Sequence, residues 1–257
     1  MSIASLIDFW KADATLERGL YIHEMDRQVV NQWVENGALS PPDPREPLFE
    51  RENALHLQLQ PMPYVGCLGE ADIFLAMINP TVGPPDYVDA QCPEFRQLRS
   101  DNLEQRVPDC FALNEDSAAQ SWHTYYRRIF QSFVDEEADV TLAPGSTPAQ
   151  RTEQEISLWE ELRQRTAILE LFPYYSRRAT AILRANTQIS LPSAIRSREA
   201  LQSIAERPKQ DALILCRWPN GAQRWGVPLT RCTVSNTMQG LSSEAKAALR
   251  TFRREKP

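Results

Sequence analysis

Residues 71–87 read Ala-Asp-Ile-Phe-Leu-Ala-Met-Ile-Asn-Pro-Thr-Val-Gly-Pro-Pro-Asp-Tyr. From Ile73 to Ile78 the run is apolar without interruption and has the length of a strand. Such a run suits a strand covered on both faces, as in a parallel sheet between layers of helices. Pro80 drives Asn79 out of helical geometry, so the chain turns there. Ligands of open α/β sheets bind just outside the carboxyl ends of the strands. Asn79 is therefore a candidate for polar chemistry. An ordinary strand-to-loop turn has the same Asn-Pro pattern, and pattern alone leaves both readings open.

Outward from this strand, three more short apolar runs follow. Residues 167–171 form the second, ending in Phe172-Pro173-Tyr174-Tyr175-Ser176-Arg177-Arg178. Residues 212–216 form the third and close on Arg217. Residues 232–234 form a fourth, leading through Ser235, Asn236, Thr237 and Met238 to Leu241. Helical periodicity marks residues 3–36, 120–133, 153–165, 179–185 and 197–206, and a last helix opens near Ser242 or Ser243. Strands alternating with helices predict an α/β fold, a three-layer α/β/α sandwich with a short, mostly parallel four-stranded sheet.

One domain is expected over residues 1–257, with a helical N-terminal extension at 1–39 and a core at 40–257. Within the core, the Pro-, Asp- and Gln-rich region 81–117 reads as a long loop of the kind that binds ligands or forms lids. The alternating leucines of 53–60 read as an extended edge segment with His56 on its opposite side. His23 reads as a solvated surface residue, and Tyr64 and Val65 as a lead into the central strand. Pro219-Asn220-Gly221 reads as a tight turn.

Composition is ordinary for a globular chain, with 42% hydrophobic and 24% charged residues. No apolar run reaches the ~20 residues that span a bilayer, and the first residues lack the pattern of a signal peptide. The five cysteines form no Cys-x-x-Cys pair, so reduced thiols and a cytoplasmic location are expected. Charge is divided along the chain. Residues 170–257 carry 15 Lys/Arg against 6 Asp/Glu, and residues 1–169 carry 13 against 28. Such asymmetry points to an anionic partner such as nucleic acid, unless the two parts neutralise each other on one surface.

Phosphate-binding loops, dinucleotide fingerprints, the Gly-x-Ser-x-Gly elbow and zinc-ligand spacings are all missing from the sequence. No cofactor or metal is therefore expected. What remains is a set of strand ends carrying Asn79, Tyr174, Ser176 and Arg217. An aromatic helix adds His123 and Arg127, four apart on one face and able to point at a ligand.

The segment Met77-Ile78-Asn79-Pro80 with Gly83 resembles the first motif of the uracil-DNA glycosylase superfamily, in its mismatch-specific and single-strand-selective branches. There an apolar strand ends in Asn-Pro-Gly. More loosely, residues 235–242 resemble the last motif, whose loop pushes an apolar side chain into the double helix. Residues 172–176 are also similar to a Phe-Pro-Tyr-His-Ser string of bacterial proteins. Thr81 replaces the glycine after Asn-Pro, and the last motif lacks its usual histidine.

The resemblance implies a base-excision activity in DNA repair, with Asn79 holding the hydrolytic water and Tyr87 stacking on an extruded base. Tyr174, Ser176, Arg217 and His123 would line the base site. Arg177, Arg178 and Asn236 would meet the nucleic acid, and Met238 or Leu241 would be the wedge. The chemistry is coherent, because a fixed carboxamide orients water without titrating while the base is read outside the stack. The alternative is a non-catalytic module on the same fold that binds nucleic acid or a protein partner.

Overall fold

A computed structural model describes residues 2–13, 16–17, 20–37, 55–106, 111, 121–142, 146–176, 190–217, 219–237 and 240–256. The chain opens with α1 (Ile3–Asp13), a two-residue hairpin of β1 (Leu16–Glu17) and β2 (Leu20–Tyr21), and α2 (Glu24–Glu35). Then come β3 (Tyr64–Gly66), β4 (Ile73–Met77), α3 (Pro84–Gln91), α4 (Pro93–Leu103), α5 (Ser121–Thr141) and α6 (Pro148–Arg165). The remainder is β5 (Thr166–Glu170), α7 (Pro192–Ala205), β6 (Leu213–Arg217), α8 (Pro219–Trp225), β7 (Thr233–Ser235) and α9 (Ser243–Glu255). The helix expected at 179–185 lies outside the described residues.

The main sheet has five strands in the order β3-β5-β4-β6-β7, one more than expected. Four run parallel, and β3 joins the edge antiparallel to β5, with Tyr64 opposite Leu169. Tyr64 and Val65 therefore build an edge strand of their own. The leucines of 53–60 do not: that segment turns, with Leu55 and Leu57 in one core and Leu59 in the other. Its alternation reflects a chain passing between two cores, not a strand with one wet face.

Each face of the sheet has its own core. Phe74 and Ala76 of β4 meet Trp10 of α1, Trp33 of α2, Leu201 of α7 and Trp225 of α8. Ile73, Leu75 and Met77 meet Phe130 of α5, Trp159 of α6 and Phe252 of α9. The period of two along a strand makes this division unavoidable. The N-terminal helices are thus part of the first core and not an appended extension. His23 is correspondingly buried. It caps α2 by accepting from Met25 N (3.2 Å), and its ring stacks on Phe9.

The region read as a loop at 81–117 contains α3 and α4. Pro84 and Pro93 open them, because proline fits the first helical turn, where its missing N–H costs nothing. Few apolar residues are needed, since polar side chains hold α4 in place. Asn102 accepts from Gly66 N (3.1 Å) and donates to Tyr64 O (2.8 Å), and Gln105 bonds Leu68 N and Gly66 O. These amides occupy the free edge of β3. Pro219 likewise opens α8 and not a turn.

Charges pair across the fold. Lys246 and Arg250 of α9 meet Glu136, Arg250 and Arg253 meet Glu137, and Arg253 also meets Glu161. The basic final helix thus neutralises acidic α5 and α6. One buried polar cluster ties the N-terminal part to the sheet. Asp26 of α2 accepts from Tyr174 Oη (2.7 Å) and from Ser193 N at the start of α7 (2.9 Å). Replacing it orphans two buried donors, each costing about 1–3 kcal/mol. Asp26→Ala is expected to lower unfolding free energy by about 2–5 kcal/mol in urea titrations with unchanged slope. The loss should be non-additive with Tyr174→Phe; full additivity would contradict the shared cluster.

Candidate active site

The parallel strands end along one edge, and their registers set a row across it. Met77 stands beside Glu170, Ala76 beside Cys216, and Arg217 beside Ser235. Glu170, Met77, Arg217 and Ser235 therefore succeed one another at the same level. Leu75 and Met77, Ile168 and Leu215 all enter the second core, so alternation turns Glu170 and Arg217 toward that core's side of the sheet. From β4 the chain goes to β5 on one side and then to β6 on the other. The reversal between β4 and β6 is where open sheets form their ligand crevice.

Beyond β4 the two strand-end loops zip together. Leu171 N and Phe172 N donate to Met77 O (3.2 Å) and Ile78 O (2.8 Å), and Thr81 bridges Ser176. Asn79 is 7% exposed, and its Nδ2 donates to Ser176 Oγ (2.9 Å) and Pro80 O (3.0 Å). Both amide hydrogens are used, so the carboxamide has one orientation, with Oδ1 as its acceptor atom.

Glu170 is 1% exposed. Its Oε1 accepts from Tyr126 Oη (2.8 Å), while Oε2 is buried with no partner. Burial pushes its carboxyl up to about 8, outweighing the Tyr126 bond and the nearby Arg217, which both favour the charge. Arg217 donates to Gly240 O (2.9 Å), and burial lowers its guanidinium against the pull of Tyr125 and Glu170. Gly240 has φ +131°, a conformation that favours glycine, and its carbonyl also accepts from Ser235 Oγ and Thr237 Oγ1.

Next to this row lies a cleft of about 300 Å³. Pro80, Thr81 and Gly83 form one wall, and Tyr125, Tyr126 and Arg128 of α5 form another, with Tyr175 between the strand ends and the second core. Tyr125 is 40% exposed at the rim.

No family model, curated protein or solved structure matches this chain. The site is therefore read from its own residues.

Of the residues expected there, Asn79 and Ser176 are brought into direct contact, and Arg217 shares the buried row. Tyr87 is placed elsewhere. It lies on α3, with its hydroxyl bonded to His56 Nδ1 and the two rings edge to face. His56 is itself buried, and that burial lowers its imidazole to about 4. Tyr174 sits in the first core on the opposite face, bonded to Asp26 and to His23 N. Leu241 is buried in the second core and is not a free wedge, because the start of α9 packs there. Asn236 is exposed. Arg177, Arg178, Met238 and the side chain of His123 lie outside the described residues, and Arg127 stacks on Trp159 instead of facing a ligand. Among the described residues, no three His, Cys, Asp or Glu are grouped to hold a metal ion, and no helix is long and apolar enough to cross a membrane.

Glu170, Tyr125 and Tyr126 are the groups that sequence reasoning missed. A single carboxylate inside the apolar run 167–172 was the available signal for Glu170. An acid raised on folding stabilises at low pH, and this contribution is lost as pH rises through the folded value. Between its ordinary 4.5 and about 8, wild-type stability should fall relative to Glu170→Gln by about 1.4 kcal/mol per pH unit. Urea titrations of both proteins at fixed ionic strength measure this difference. Parallel curves would show that Glu170 is charged in the fold.

Proposed function

We propose that the crevice hydrolyses the N-glycosidic bond of a uracil-like or modified base in nucleic acid, on a three-layer α/β/α scaffold. The observation that carries this reading is the fixed carboxamide of Asn79. It stands at the carboxyl end of β4, beside the point where strand order reverses, with both amide hydrogens engaged.

Breaking the bond builds positive charge on the sugar and negative charge on the base. Asn79 Oδ1 accepts a hydrogen bond from the attacking water and aligns it, at no cost of reorganisation. Tyr125 takes the stacking role that the resemblance implied for Tyr87, since it is exposed at the rim. Arg128 supplies a positive charge beside the cleft for a phosphate. An extruded base would lie between the 80–83 turn and α5.

A second reading, recognition without catalysis, is favoured by Leu241, which is buried where an inserted wedge would be needed. Abasic-site formation on single- and double-stranded oligonucleotides carrying uracil, hypoxanthine or modified cytosines separates the two. Release of a base, falling about 10²–10³-fold in Asn79→Ala, supports the hydrolase. Binding with no release from any substrate supports the recognition module.

A further inference from the structure

We infer that Tyr126 hands a proton to the departing base and that Glu170 supplies it, an inference that rests on the hydrolase reading above. Tyr126 lines the cleft, and its hydroxyl lies 2.8 Å from Glu170 Oε1. Glu170 stands beside Met77 in the sheet, two residues before Asn79. Asn79 follows the carboxyl end of β4 and is tied through Ser176 to the loop that follows Glu170 and β5. Water-positioning and proton-donating groups thus meet at one end of one pair of strands.

Among the described residues, the groups facing Glu170 are Tyr125 and Tyr126 from α5, Tyr175 from the loop after β5, and Arg217 from β6. Only Arg217 is charged, and burial keeps the carboxyl protonated at neutral pH. With the carboxyl protonated and its proton turned toward Tyr126 Oη, the 2.8 Å bond runs the other way: Glu170 donates, and the phenol hydrogen is free to turn to the cleft.

The step then balances. The C–N bond breaks with its electron pair moving to the base. The phenol proton goes to the base, and the Glu170 proton replaces it on Tyr126. Water bonds to the anomeric carbon, and the proton it loses restores Glu170. Arg217 stabilises the carboxylate that exists in between. A built-in acid matters most for bases that leave poorly as anions, so the substrate class is purine-like, hypoxanthine or adenine, in preference to uracil.

Single-turnover release of hypoxanthine, uracil and 5-fluorouracil from oligonucleotides between pH 5.5 and 9 tests this. Wild type, Glu170→Gln, Tyr126→Phe and Asn79→Ala are compared, with thermal melts as a check on folding. Wild-type release of hypoxanthine should decline above about pH 8. Glu170→Gln and Tyr126→Phe should each lose about 10²-fold on hypoxanthine, far less on 5-fluorouracil, and the decline should vanish. Equal losses on every base with the pH profile intact would mean a structural role and overturn the relay. So would full activity in both variants while Asn79→Ala is inactive, and in that case the hydrolase reading survives. No release by wild type from any substrate overturns both.

Discussion

A sheet covered on both faces must divide the side chains of each strand between two cores, and this constraint governs every placement at its carboxyl edge. Ile73, Leu75 and Met77 go one way and Phe74 and Ala76 the other. Past the strands the loops also divide between the two cores. Tyr174 and Tyr175 are neighbours, yet the first enters the core of α1 and α2, and the second enters the core of α5 and α6. The same alternation brings Glu170 and Arg217 to one side, flanking Met77. The strand-borne part of the candidate site is thus a consequence of register: a slip by one residue would exchange Glu170 and Arg217 for apolar neighbours.

Glu170 sits in this frame at a cost. A carboxyl group enclosed by Tyr126, Tyr175 and the second core is easier to hold neutral than charged. Arg217 lies close enough to favour the charge but does not overcome burial. The two groups leave each other unsettled, as paired groups at functional sites often do.

Much of the fold was legible because the strands are continuous apolar runs bounded by turns. β4, β5, β6 and β7 all fall within a residue or two of their expected positions. The strands that were missed are two or three residues long and carry no periodicity: β3, and the β1–β2 pair that interrupts the stretch read as helical at 3–36. Proline misled at 84, 93 and 219, where it opens a helix and does not break one. For the site, Asn79 was visible because a polar residue after an apolar strand stands out. Tyr87 and Tyr174 were misplaced because composition does not say which way a side chain turns. Glu170 was passed over as part of a strand, although one acid in an apolar run requires an explanation. Tyr125 and Tyr126 were read as core spacing, which holds for Tyr126 but conceals its hydroxyl.

The amides of Asn102 and Gln105 have one more effect. Open strand edges recruit other chains, and exposed β-rich proteins aggregate through them. On β3 the outward-facing groups of Tyr64 and Gly66 already hold side-chain partners that imitate a neighbouring backbone. An incoming strand would have to displace α4 before it could bond there. That helix, rich in polar residues and poor in apolar ones, therefore acts as a guard against self-association at the one antiparallel border of the sheet.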